Sequence, residues 1–425
     1  MVEAHFLGLN CQSNIYGIAP LQCGHGLHKV LIATCENNVY CIEYSKNQHG
    51  GAIFSNREVQ FTYIPGTAEI TSLHAFNQAC QVNNFAVGVA FTKKENDGRY
   101  SRYFNIYSDW EFGSECDLDN IAQGCLSIPL NFIPFHLTHS KLSINGKEEI
   151  VWLLSGNDVV VHLYREDKAR QTYNEELCDN YFPEFEALSS PVWWMDIKNI
   201  TDSRITAIGC KNGTVKVSLV KFNPDIHIES SWTIQHDGPI TSVKLFEDTG
   251  LEGLHNCPIK NETDRRKIHL LVTNSIEVSV VYRDVLKNGL DLKHQKCLPR
   301  SNKYDVVSCG LVADIDMDGY NEILIGTFGQ ELLAYKWKAE SEDIDKGSYV
   351  LFHQQTFASQ LLQMIYVDIM GDGIKEILIL TNGGLHVMQH DLKKAADVIT
   401  QRMKWLLQNV PMKELEKYLK NTTDA

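Results

Sequence analysis

Residues 322–337, EILIGTFGQELLAYKW, form an apolar strand, a small polar turn and a second alternating strand, and the chain repeats that shape. It recurs as KVLIATCENNVYCIEY, NFAVGVAF followed by RYFNIYSDW, EIVWLLSGNDVVVHLY, RITAIGCKNGTVKVSLV, HLLVTNSIEVSVVYRD and EILILTNGGLHVMQH. With the small residue before each turn aligned, the strands begin at Val30, Phe85, Val151, Thr206, Leu270, Ile323 and Ile377, at intervals of 53 to 66 residues. Self-similarity at a fixed period of this size is the mark of a repeat architecture.

Six further apolar strands precede these pairs: ITSLHAF, IPFHLTH, PVWWMDI, ITSVKLF, VVSCGLVADI and LLQMIYVDI. Polar segments such as EVQFTYIP, IHIESSWTI and YVLFHQQTF follow most of them. Four strands per unit make a propeller blade, so the expected fold is an all-β, seven-bladed β-propeller. The two longest intervals place loop insertions at 93–100 and 248–267.

The seventh unit lacks an outer strand, and HFLGLN (5–10) is the expected donor. Closing the ring with it removes two exposed sheet edges that would otherwise recruit other chains. From Leu392 the pattern turns helical: Ala395, Ala396, Ile399, Met403, Leu406 and Leu407 share one stripe. The division is therefore a propeller over 1–391 and a C-terminal amphipathic helix and tail over 392–425. The stripe is expected to pack on the propeller, the alternative being a helix laid in a partner's groove.

A net charge of −14 argues against nucleic acid as the main partner, because phosphate contacts need an excess of Lys and Arg. No apolar run approaches the roughly 20 residues that span a bilayer. The N-terminus has no basic region and too short an apolar core for a signal peptide, so a cytoplasmic chain is expected. The twelve cysteines contain no CxxC pair, which speaks against structural zinc and for mostly buried free thiols.

The chemistry concentrates in DIDMDGYNE. Asp314, Asp316 and Asp318 alternate, Gly319 follows, and Glu322 and the Tyr320 carbonyl lie within reach. An EF-hand needs a bidentate Glu at position 12, which here is Ile325, and helical flanks where this chain has strands. The loop instead resembles the calcium hairpins of FG-GAP repeats in integrin α-chain propellers. Blade seven carries a reduced copy, DIMGDGIKE, with Asp368, Asp372, Gly373 and Glu376, but Met370 where an oxygen donor is needed. Asp and Gly also favour tight turns, so a structural turn is the expected reading and a Ca2+ site the alternative.

No GxSxG elbow, P-loop, GxGxxG or HExxH is present, and no enzyme is expected. His136 and His139, three apart on a strand, fall on opposite faces and read as unrelated. Val192–Trp194 reads as packing between blades. Segment 260–269, KNETDRRKIH, is the one candidate basic patch.

The blocks CQSNIYGIAP, EVQFTYIPGTAEITSLHAFN, FNIYSDWEFGSECDLDNIAQGCL, LLSGNDVVVHLY, VVYRDVLKNGL and DIDMDGYNEILIGTFGQELLAYK resemble the kaptin family across most of residues 11–390. The resemblance implies a non-enzymatic scaffold without cofactor in the KICSTOR complex, beside an FG-GAP propeller protein, the seizure-threshold protein and one further subunit. That complex holds the GATOR GTPase-activating complex at the lysosome and restrains TOR signalling when nutrients are scarce. The family is also linked to F-actin at motile cell edges, so an actin-binding adaptor is the first alternative and a calcium-binding integrin-like propeller the second. An acidic surface disfavours direct contact with acidic filaments.

Overall fold

The computed structural model describes residues 1–22, 28–46, 52–78, 85–108, 118–144, 147–200, 202–222, 225–247, 267–340 and 346–409. Seven antiparallel four-stranded sheets follow one another as blades. Blades one to six occupy 13–59, 68–130, 134–176, 192–235, 240–297 and 307–356. Blade seven takes its three inner strands from 361–389 and its outer strand from Val2–Gly8.

Burial explains why the repeat was legible. The second strand of each blade lies between neighbouring blades, so both faces are covered: Ile268–Asn274, Glu322–Thr327 and Glu376–Thr381 are buried at every residue. A strand buried on both sides reads as an unbroken apolar run. Outer strands lose that cover, and His227–Gln235 and Gly347–Thr356 are mostly exposed and polar. Every innermost strand is bulged, in most blades near its start: between Ile70 and Ser72 in blade two, Val192 and Trp194 in blade four, Val307 and Cys309 in blade six. A bulge sharpens the local twist, which suits strands that converge on a common axis.

The ring closes as expected, with a shifted boundary. Val2–Gly8 pairs antiparallel with Gly384–Gln389, beginning before residue 5 and ending at Gly8. Gly384 has φ +151°, and a Cβ there would lie 2.1 Å from the Leu7 carbonyl oxygen, so only glycine lets the closing strand approach. Leu7, Leu385 and Val387 then join Ile18, Val30 and Ile32 in one core that welds blade seven to blade one.

Three expectations need correction. The outer strand of blade one is Ala52–Val59, so most of EVQFTYIP lies beyond it. The 93–100 insertion is a lengthened hairpin, paired out to Lys94 opposite Tyr100, with Glu95 N–H donating to the Arg99 carbonyl (2.8 Å). Among the described residues, the C-terminal helix, Leu392–Asn409, lays only part of its stripe on the propeller. Ala395 is buried, but Leu392, Ile399 and Met403 are 58%, 41% and 57% exposed. The insertion at 248–267 and the basic patch lie almost wholly outside the described residues, as does the tail after 409.

Candidate functional site

The aspartate loop joins the first strand of blade six, Val307–Ala313, to the second, Glu322–Thr327. Its backbone folds around its own carboxylates. Asp314 Oδ1 and Oδ2 accept the N–H groups of Asp318 (3.1 Å) and Gly319 (2.9 Å). Asp318 Oδ1 accepts the Tyr320 N–H (2.9 Å), and Glu322 Oε2 accepts the Ile315 N–H (2.8 Å). Met317 and Gly319 take positive φ, which lets successive amides turn inward.

Carboxylate oxygens of Asp314, Asp316 and Glu322 lie within 4.8 Å of one another. Asp318 joins them through Lys336, from the third strand, Glu331–Ala339. The Lys336 ammonium sits 2.5 Å from Asp316 Oδ2, 2.5 Å from Asp318 Oδ2 and 3.4 Å from Glu322 Oε1. Of the expected site residues, Asp314, Asp316, Asp318 and Glu322 thus converge, while Tyr320 contributes its amide. Lys336 was missed. The cue was the register, since pairing Ile323 with Tyr335 puts the next residue beside the loop.

The electrostatics follow from this packing. Burial, with Asp318 and Asp316 adding, pushes the Asp314 carboxyl up. Burial likewise raises Glu322 to about 7. Burial also works to raise Asp318, but the Lys336 ammonium outweighs it and holds that carboxyl below its usual value. For Lys336, burial works downward, and the hydrogen bonds to Asp316 and Asp318 carry it well above its ordinary value.

Blade seven keeps the skeleton. Asp368 accepts the N–H groups of Gly371 (2.7 Å), Asp372 (3.2 Å) and Gly373 (2.7 Å), Asp372 accepts that of Ile374 (2.9 Å), and Glu376 that of Ile369 (3.1 Å). Ile377 pairs with Met388, so Gln389 stands where blade six has Lys336. Its amide approaches the Met370 sulfur (2.9 Å). Burial and the charges of Asp372 and Asp368 lift Glu376 to about 8.

The blade-six loop is tied to its neighbours. Asn321 Nδ2 donates to the Glu247 carbonyl of blade five (2.7 Å), and Tyr366 of blade seven donates to the Asp314 carbonyl (3.2 Å). Tyr366 also meets His390, two residues before the exposed helix (3.2 Å).

His139 and His136 do point to different seams, as expected from their spacing, but each has a partner. His139 Nδ1 lies 2.7 Å from His74 Nε2 of blade two, and His136 Nδ1 accepts the Met195 N–H of blade four (3.1 Å). Burial pushes His136 down to about 3 and His139 to about 4, so both stay neutral at ordinary pH. Trp194 stacks on His136 and on Tyr16, whose hydroxyl reaches across from blade one to the Trp193 carbonyl (2.7 Å). The tryptophans therefore brace the ring, as inter-blade packing requires. A cavity of about 660 Å³ opens over blades one to three, lined by Tyr16, Cys35, Glu36, Glu69 and Phe135. Burial and the charges of Glu69 and Glu36 push its thiol, Cys35, up, which is the opposite of what a nucleophile needs. The eight described cysteines are free, and four of them are buried.

Comparison with known proteins agrees with this architecture. The sequence profile of the family described as "KICSTOR complex protein kaptin" matches residues 1–400. A mouse protein of that description is 38% identical over 406 residues, covering 95% of this chain and 91% of the mouse protein. With blades, closure and loop skeleton in place across that span, the chain belongs to the kaptin family.

Proposed function

We propose that this chain is a non-enzymatic scaffold subunit of a KICSTOR-like complex, beside an FG-GAP propeller protein and the other subunits. In this reading the complex tethers the GATOR GTPase-activating complex at the lysosomal membrane and restrains mTOR signalling when amino acids are scarce. The observation that supports a scaffold is the set of apolar residues that the described part of the C-terminal helix leaves exposed. Leu392, Ile399 and Met403 stand in solvent, and Lys393, Lys394 and Lys404 are exposed on the same helix. A basic amphipathic helix on a chain of net charge −14 suits a partner groove with an apolar floor and an acidic rim.

The test uses tagged full-length chain, wild type and Ile399→Asp/Met403→Asp, recovered from cells and probed for the FG-GAP propeller partner, GATOR subunits and actin. Charging two anchors should cut recovery of the complex at least about tenfold while leaving the melting temperature within about 1 °C. Wild-type recovery of actin without KICSTOR subunits would move the assignment to a cytoskeletal adaptor. Starved cells carrying the variant should also keep mTOR kinase activity high.

A further inference from the structure

In the blade-six loop, the backbone already uses one set of carboxylate oxygens. Both oxygens of Asp314, Oδ1 of Asp316, Oδ1 of Asp318 and Oε2 of Glu322 accept amides. The remainder, Asp316 Oδ2, Asp318 Oδ2 and Glu322 Oε1, face one point, and Lys336 Nζ occupies it. Glu322 supplies an observation independent of the loop's own turn. It is fully buried, and its Oε1 makes no hydrogen bond while aimed at that point from 3.4 Å. A buried carboxylate oxygen left this way is costly unless a cation stands opposite it.

We propose that the Lys336 ammonium is a tethered stand-in for a divalent cation, so that blade six contains a hard-cation site closed by its own third strand. The oxygens around it are of the class that Ca2+ takes, and the ammonium brings a single charge to a cluster of four carboxyl groups. Blade seven supports the exchange. Where the lysine becomes Gln389, the facing aspartate becomes Met370, so the anion and the cation are absent together. The wild-type loop therefore needs no metal, and removing the ammonium opens a calcium site.

The experiment compares full-length wild type, K336Q and the blade-seven copy D316M/K336Q, each stripped with chelator. Melting temperatures and titration heats are read with CaCl2 at about 5 mM against NaCl of equal ionic strength. Wild type should melt within about 1 °C in chelator and in calcium, whereas K336Q should gain about 2–4 °C with calcium alone, and D316M/K336Q nothing. D316N/K336Q keeps an oxygen at 316 with less excess charge. It serves as a second background should K336Q fail to fold, and is expected to show the same rise. A calcium-dependent shift or binding heat in wild type would overturn the proposal, since the lysine would then not exclude the ion. So would folded K336Q and D316N/K336Q that bind no calcium.

Discussion

The loops of blades six and seven share a fold and differ in how they balance charge. In both, one aspartate gathers inward-turned amides, a glycine follows at positive φ, and a buried glutamate caps the next strand's entry. Blade six then adds Asp316 and Lys336, where blade seven has Met370 and Gln389. The comparison separates what makes the turn from what the turn carries. The first aspartate, the glycine and the glutamate are architecture, and the charge pair is an addition.

The largest test removes the architecture. Asp368→Ala strips the acceptor from three amides and Asp314→Ala from two, so each should cost about 2–4 kcal/mol by denaturant titration, with Asp368 the greater. A cost near zero at either site would show that the turn forms without its nest.

Next comes pH. The folded-state value of Glu376 stands near 8, above the ordinary 4.5 of the unfolded chain. Its contribution is therefore complete below about pH 4.5 and is lost as pH rises through about 8. Glu376→Gln should remove that alkaline decline and stabilise the protein by about 2 kcal/mol at pH 9. Glu322→Gln should gain less, because it also forfeits the Lys336 charge. Equal gains at the two sites would dissolve the distinction between the loops.

A smaller effect belongs to the ammonium. Without metal, K336Q should cost about 1 kcal/mol at low salt and less at 1 M NaCl, because a partly exposed pair is screened. Smallest of all, M370D/Q389K, which transplants the blade-six pair into blade seven, should change stability by about 0.5 kcal/mol or less.

The seven repeats were legible because burial on both faces fills the second strands largely with apolar side chains, as Glu322–Thr327 shows between its capping glutamate and Thr327. The donor strand was legible because the last unit plainly lacked a partner. Two features were not. An amphipathic stripe states that it will be covered and not by what, so Ile399 and Met403 read equally well as core or interface. Lys336 lies 14 residues beyond the glutamate it faces, and its role appears only when strand register is known.

The closing strand also sets an order of events. Residues 2–8 are made before every blade, yet their pairing partner, 384–389, follows all six of the other blades along the chain. Until that partner is made the strand 2–8 stays unpaired, and blade one lacks its neighbour across the closing seam. A stalled or truncated chain that ends before residue 384 cannot form the ring whatever the quality of its blades, and it keeps an unpaired edge ready for another chain. Ring closure therefore depends on the 384–389 segment, whichever blades are already formed.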